Sequence, residues 1–209
     1  MPSHRNRFEK GNAMIEFGIV MIFLIPILFG TITFGVNLGN MLQSSQITRD
    51  VAHMYARAVD FSLTQNKNIA VNLVQGMGGM TVNAGNGVLI LSQVRKVYQA
   101  DCDAAGIPGC PNLGLRVFSN RIVIGNSGLR TSNFGTPNSA FVTANGNISS
   151  ANYLQRGDLV ATNFDDTIIV QGGGDIAFVV EGYFGTPDMS FLSGTGASNT
   201  SGTYTRAIF

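Results

Sequence analysis

The stretch KGNAMIEFGIVMIFLIPILFG, Lys10 to Gly30, decides how the rest of the chain is read. It sets a carboxylate, Glu16, inside an otherwise apolar run, where an ionised group is expensive. From Phe17 to Val36 twenty residues follow without a charge. A helix of that length spans ~30 Å, about the hydrocarbon thickness of a bilayer. Arg5, Arg7 and Lys10 precede the run against a single acid, Glu9. That bias predicts a cytoplasmic N-terminus, with the residues beyond about Asn37 outside. Pro26 interrupts the run, but spanning helices tolerate proline and at most kink there.

A secretory signal peptide also starts basic and turns apolar. This run exceeds the ~7 to 15 residues of such a peptide's apolar region, and FGVNLGNMLQ offers no small-x-small cleavage site. No cysteine lies near it, which excludes a lipoprotein anchor. Past the membrane, LGNMLQSSQITRDVAHMYARAVDF lacks proline and places apolar or small residues at Leu38, Leu42, Ser45, Ala52, Ala56 and Val59. The spacing predicts one helix over 12–60 whose exposed part turns a stripe toward a following domain. His53 on that helix is expected to pack rather than ligate, since no partner constellation accompanies it.

KGNAMIEF, a Gly followed by four residues and then Glu-Phe, resembles the processing site of class III signal peptides, which prepilin peptidases cut after the Gly. Together with IEFGIV, LFGTITFG and RDVAHMYARA, it resembles the TadE-like family of tight-adherence (Tad) pilus assembly proteins over about residues 10 to 60. VVEGYF near the C-terminus is similar to a segment of the same family. Pro26 falls later than the family's usual proline, which affects the kink and leaves the topology alone.

The resemblance implies a leader over 1–11, a cut between Gly11 and Asn12, and an assembly role for Glu16 with Phe17 beside it. Glu16 would become the fifth residue of the mature chain and pair with the α-amine of a neighbouring subunit's first residue. A carboxylate at the bilayer centre costs ~2.5 to 3.5 kcal/mol, less near the interface, and such a partner offsets part of that. The partners implied are the membrane, a prepilin peptidase, other pilin-like subunits and the Tad components of a bacterial inner membrane.

The remainder, 61–209, reads as one β-rich domain outside the cytoplasm. Net charge is +1 and only 12% of residues are charged, against about 25% in typical soluble proteins. No basic patch supports binding to nucleic acid. Cys102 and Cys110 are the only cysteines, and the Gly106, Pro108 and Gly109 between them favour a turn closed by a disulfide. A short helix is predicted over 65–75, stopped by Gly76, Gly78 and Gly79. Strands are predicted over 87–99, 115–125, 175–184 and 203–209, the first two as an antiparallel pair, with surface loops over 126–157 and 193–202. The fold class expected is α+β, a long N-terminal transmembrane-plus-exposed helix packed on an antiparallel sheet in the pilin-like manner.

Catalytic signatures are missing. The chain has no phosphate-cradling GxxxxGK[ST], no HExxH, no GxSxG and no histidine beyond His4 and His53. GMGGM and QGGGD read as turns, and Asn147 and Asn199 begin Asn-x-Ser/Thr tripeptides of the kind an Asn-rich chain throws up by chance. The acid pairs Asp101 with Asp103 and Asp165 with Asp166 fall short of a calcium loop. No cofactor, metal or enzymatic activity is therefore expected. A structural pilin-like subunit is the first expectation, and an unprocessed single-pass anchor carrying a binding module is the alternative.

Overall fold

The structure, a computed structural model, describes residues 6–77, 79–164, 176–185 and 202–209, with side chains from Ala13 onward. Helix α1, Asn6–Ala56, runs for 51 residues through Pro26, a length of ~77 Å. It starts ahead of the expected Asn12 and ends four residues before the expected Asp60. The end is made by Ala58, which turns left-handed at φ 64° while Val59 N–H donates to the Met54 carbonyl at 3.1 Å. Glycine usually takes that position, so an alanine there gives no stop signal in the sequence.

Helix α2, Thr64–Val74, follows and buries Ala70, Val71 and Val74. Four strands then form one antiparallel sheet: β1 Gly87–Lys96, β2 Arg116–Gly125, β3 Ile176–Gly185 and β4 Gly202–Ile208, in the order β2-β1-β3-β4. β1 pairs with β2 as expected, and also with β3. Alternation gives each strand two faces. Leu89 and Leu91, Ile122 and Ile124, Val180 and Ala207 meet Ile47, Val51, Ala52 and Tyr55 of α1 together with α2. This is the α+β arrangement of a long N-terminal helix on an antiparallel sheet.

The helical stripe differs from the expected one. Ser44, Ile47, Thr48, Val51, Ala52 and Tyr55 are buried, whereas Leu38 and Leu42 are exposed, as is Ser45. Of the expected contacts Ala52 holds and Val59, just past the helix, packs against the same core; Leu38 and Leu42 precede the stretch that packs on the sheet.

The cysteine turn forms as expected. Cys102 sits in a short helix α3, Gln99–Ala104, before Gly106 and Gly109 turn left-handed. The opposite face of the sheet carries a second core, and here the expected surface loop 126–157 is corrected. Phe134, Ile148, Tyr153, Leu154 and Leu159 from that region cover Val94, Phe118, Ala177 and Val179. The segment holds a short helix α4, Ser150–Tyr153, and 3-10 turns at Ser139–Phe141 and Gly157–Leu159. It lies on the sheet as an irregular layer instead of projecting as a surface loop. The bulk of the expected loop 193–202, with Asn199 and the acids Asp165 and Asp166, lies outside the described residues, as do His4 and QGGGD.

Candidate functional site

The residues singled out in the sequence fall at the two ends of the molecule. Gly11 and Asn12 lie on the first turns of α1, and Glu16 follows Asn12 by four residues, about one helical turn or ~6 Å of rise. Glu16 is the only ionisable residue between Lys10 and Arg49. Its neighbours are exposed apolar side chains, Met14 at 80% and Phe17 at 61%. The most apolar 18-residue window of α1 has mean hydropathy 2.5, and none of it is buried against the rest of the chain. The helix is thus long and apolar enough to cross a membrane, by length and composition.

Its polar groups are arranged for such a medium. Thr31 and Thr33 turn their hydroxyls back to the carbonyls of Leu28 and Phe29, each at 2.8 Å. Neither hydroxyl then needs water. The exposed apolar surface runs past Val36 through Leu38 and Met41 to Leu42, up to the point where Ser44 becomes buried.

The docked half of the helix meets the sheet at Gly182 on β3, whose neighbour Glu181 serves the opposite face. Gly182 faces α1. A Cβ placed there would stand 2.5 Å from Thr48 Oγ1 and 2.9 Å from the Phe184 ring, so the missing side chain is what lets the helix approach. Thr48 and Thr205 hydroxyls meet at 2.6 Å across that contact, and Thr48 also donates to the Ser44 carbonyl at 2.9 Å. Tyr55 closes the far end by donating to Asn120 Oδ1 at 2.8 Å, its ring edge-on to Phe178 at 5.4 Å. Burial pushes the Tyr55 phenol up from its ordinary pKa.

Glu181 points the other way and is 2% exposed. Its carboxylate accepts from the Ser132 hydroxyl, from Asn133 N–H at 2.9 Å and from the Tyr204 hydroxyl at 2.8 Å. Two of these donors belong to the irregular layer, so one buried acid pins that layer to the middle of the sheet. Arg121, also buried, adds a second pin by donating to the Gly135 carbonyl at 2.6 Å. Burial pushes Arg121 down to about 10, against the opposing attraction of Glu181. Burial, then the hydrogen bond to Glu181, pushes Tyr204 up.

The disulfide is formed between Cys102 and Cys110, with Cα atoms 5.9 Å apart. It follows β1 at the end paired with Ile176, whereas the helix enters the sheet near Gly182 and Thr205. The bridge therefore sits at the end of the sheet away from the apolar half of α1. Asp101 is taken up by Arg95 at 3.2 Å and by Tyr98 N–H at 2.9 Å, and Asp103 accepts from Gln99 at 2.7 Å. Among the described residues no group of three or more His, Cys, Asp or Glu is placed to hold a metal ion. His53 packs on the ring of Phe209 at 4.2 Å.

The sequence reading brought together Cys102 and Cys110, and set Gly11, Asn12, Glu16 and Phe17 on one helix. It passed over Glu181 and Arg121. The available signal was an isolated acid inside the apolar strand segment IAFVVEGYF, followed at once by a glycine. Comparison of the chain with protein-family models, with curated proteins and with solved structures gives no match.

Proposed function

We propose that this chain is a pilin-like structural subunit, processed by a prepilin peptidase between Gly11 and Asn12 and contributing to assembly of a Tad-type pilus for adhesion or secretion. The observation that carries the reading is the division of α1. One continuous helix leaves its N-terminal half apolar and unpacked, with one acid, Glu16, beyond Lys10, and docks its C-terminal half on a sheet. An unpacked apolar rod attached to a folded head suits a subunit that sits in the inner membrane and then packs rod against rod. Glu16 is the natural register mark in such packing, because a lone carboxylate in an apolar bundle is costly anywhere except beside a cation.

The head is in this reading extracytoplasmic, and the Cys102–Cys110 bridge agrees with an oxidising compartment. Partners are the membrane, the peptidase, the other pilin-like subunits and the inner-membrane assembly components. The chain acts by packing and catalyses nothing. Gly11→Leu is the direct test, since the apolar run that drives insertion is untouched. Expressed with the peptidase, the wild-type chain should lose eleven residues and begin at Asn12, while the variant stays full length in the membrane. Equal mobility of the wild-type chain with and without the peptidase would refute processing and favour the unprocessed anchor.

A further inference from the structure

The irregular layer does not seal the sheet it covers. Between β2, the neighbouring Ile90 of β1 and the segment that follows β2 lies an open cleft of about 290 Å³. Ile90, Val123 and Val142 make its walls apolar, Ser132 adds a hydroxyl, and both Arg121 and Arg130 line it. The volume lies near the lower end for small-molecule sites, which pair apolar walls with a few placed polar groups.

The charges here do not balance. No acid is among the described residues that line the cleft, and Glu181, whose charge acts on Arg121, has its carboxylate filled by Ser132, Asn133 and Tyr204. Arg121 is 8% exposed, yet among the described residues its hydrogen-bond acceptor is one neutral carbonyl, that of Gly135. Its Nε is buried without a partner and its guanidinium lies 4.5 Å from the Phe118 ring. Arg130 repeats the pattern: Nε has no partner, the guanidinium lies 4.2 Å over the Tyr204 ring, and one terminal nitrogen donates to Asn133 Oδ1 at 3.3 Å. Two cations with unused donors thus border one apolar cleft, and a buried donor without an acceptor is costly. An anion entering the cleft supplies what both lack.

We infer that this cleft binds a carboxylate carried on a small branched aliphatic body, the two guanidinium groups taking the carboxylate and Ile90, Val123 and Val142 the body. Inorganic phosphate fits poorly, because it would leave three apolar side chains facing a strongly hydrated ion. The same chemistry is offered by a small organic acid and by the C-terminal residue of a polypeptide. The assignment stands apart from the assembly reading, since no residue of the anchor takes part.

The test uses the full chain in nanodiscs with methyl-labelled Ile and Val, so that Ile90, Val123 and Val142 report directly. 4-Methylpentanoate should shift those three methyls saturably, and 4-methylpentanamide should leave them in place at the same concentration. Arg130→Gln, at a half-buried position, should weaken the carboxylate by about tenfold or more, since a charge-assisted hydrogen bond is lost. Its unchanged methyl spectrum in the absence of ligand shows that the fold persists. N-acetyl-Ala-Ala-Leu beside its C-terminal amide tells the two sources apart: a peptide acid tighter than 4-methylpentanoate points to a chain end, a weaker one to a free acid. Equal shifts from the carboxylate and its amide, equal binding of inorganic phosphate, or no shift from any carboxylate would overturn the assignment.

Discussion

The two halves of α1 obey opposite rules although no break separates them. From Met14 to Leu42 the helix shows large apolar side chains on all sides, and nothing else among the described residues covers them. From Ser44 to Tyr55 it buries one narrow stripe made largely of small or hydroxylated residues, Ser44, Thr48, Val51 and Ala52, and exposes Arg49, Asp50 and His53. The first half is built to be solvated by lipid or by other helices, the second to be met closely by a sheet. Small residues permit close approach, and Gly182 on the sheet side completes the fit. Apolar content alone therefore misidentifies the packed half: the more hydrophobic part of the helix is the part left bare.

The sharpest way to break the packed half is at Gly182. Gly182→Ala sets a methyl group 2.5 Å from Thr48 Oγ1, a short side chain that is itself held by Ser44 and Thr205. Overpacking of this kind costs about 1 to 3 kcal/mol, and the upper part of that range is expected here because neither neighbour has room to rotate away. Denaturant unfolding of the detergent-solubilised chain should show the loss, while membrane insertion stays normal. Thr48→Ala in the same chain should restore part of it. A Gly182→Ala variant as stable as wild type would mean that helix and sheet do not touch at this point.

Glu181→Gln comes next and acts on the other face of the same strand. The amide keeps the shape but presents one donor nitrogen to a site that holds three donors, so at least one of the Ser132, Asn133 and Tyr204 contacts fails. A loss of about 1 to 3 kcal/mol follows from a buried donor left without an acceptor. The loss should appear as faster hydrogen exchange in residues 131–135, with α1 unaffected; uniform change across the chain would show that the two faces are coupled.

These two neighbours also show how far the sequence speaks for itself. The long helix, four strands near their observed limits, the β1–β2 pair and the cysteine bridge were all legible, because periodicity, β-branched runs and Gly-bounded turns are local signals. The second core was not. Phe134, Ile148, Tyr153, Leu154 and Leu159 follow neither a helical nor an alternating spacing, so nothing in 126–164 marks them as buried. They are held by long-range contacts, Ile148 N–H with the Ser119 carbonyl, Tyr153 with Arg95 and Asn112, and Leu154 with Asn112 N–H, and those have no local signature. The helix stripe was misplaced for a related reason: Leu38 and Leu42 look like core residues to any reading that ranks by hydrophobicity.

A smaller effect separates the halves by pH. Tyr55 sits at the docked end, and burial raises its pKa, so the folded chain keeps a proton that the unfolded chain releases near pH 10. Stability from this group is complete below about pH 10 and declines above it, by at most about 1.4 kcal/mol per pH unit. Tyr204 adds the same sign. Arg121 opposes them, because its folded value of about 10 lies below the unfolded one, so its contribution rises with pH over that interval. Melting temperatures between about pH 9 and 11.5, the range that brackets an ordinary tyrosine, should fall less steeply for Tyr55→Phe than for wild type. Parallel slopes would remove Tyr55 from the alkaline transition.

The smallest effect on the fold is expected at Glu16, and that is what makes it informative. Glu16→Ala touches nothing in the head and makes the bare half of α1 more apolar, so the stability of the head should be unchanged within error. In the assembly reading the same change takes away the partner of a neighbouring chain's amine. Breaking a buried ion pair costs about 3 to 5 kcal/mol, so incorporation into filaments should fall by about tenfold or more, with monomer abundance and processing normal. Glu16→Gln should fall between the two, since its amide still hydrogen-bonds the amine but gives no ion pair. The measurement is recovery with sheared filaments or cross-linked neighbours, normalised to monomer in the membrane. A stable head with lost incorporation would show that the two halves of α1 serve separate purposes, one holding the chain together and the other holding chains to each other. Normal incorporation of the Ala variant would leave Glu16 an ordinary interfacial acid and favour the anchored binding module.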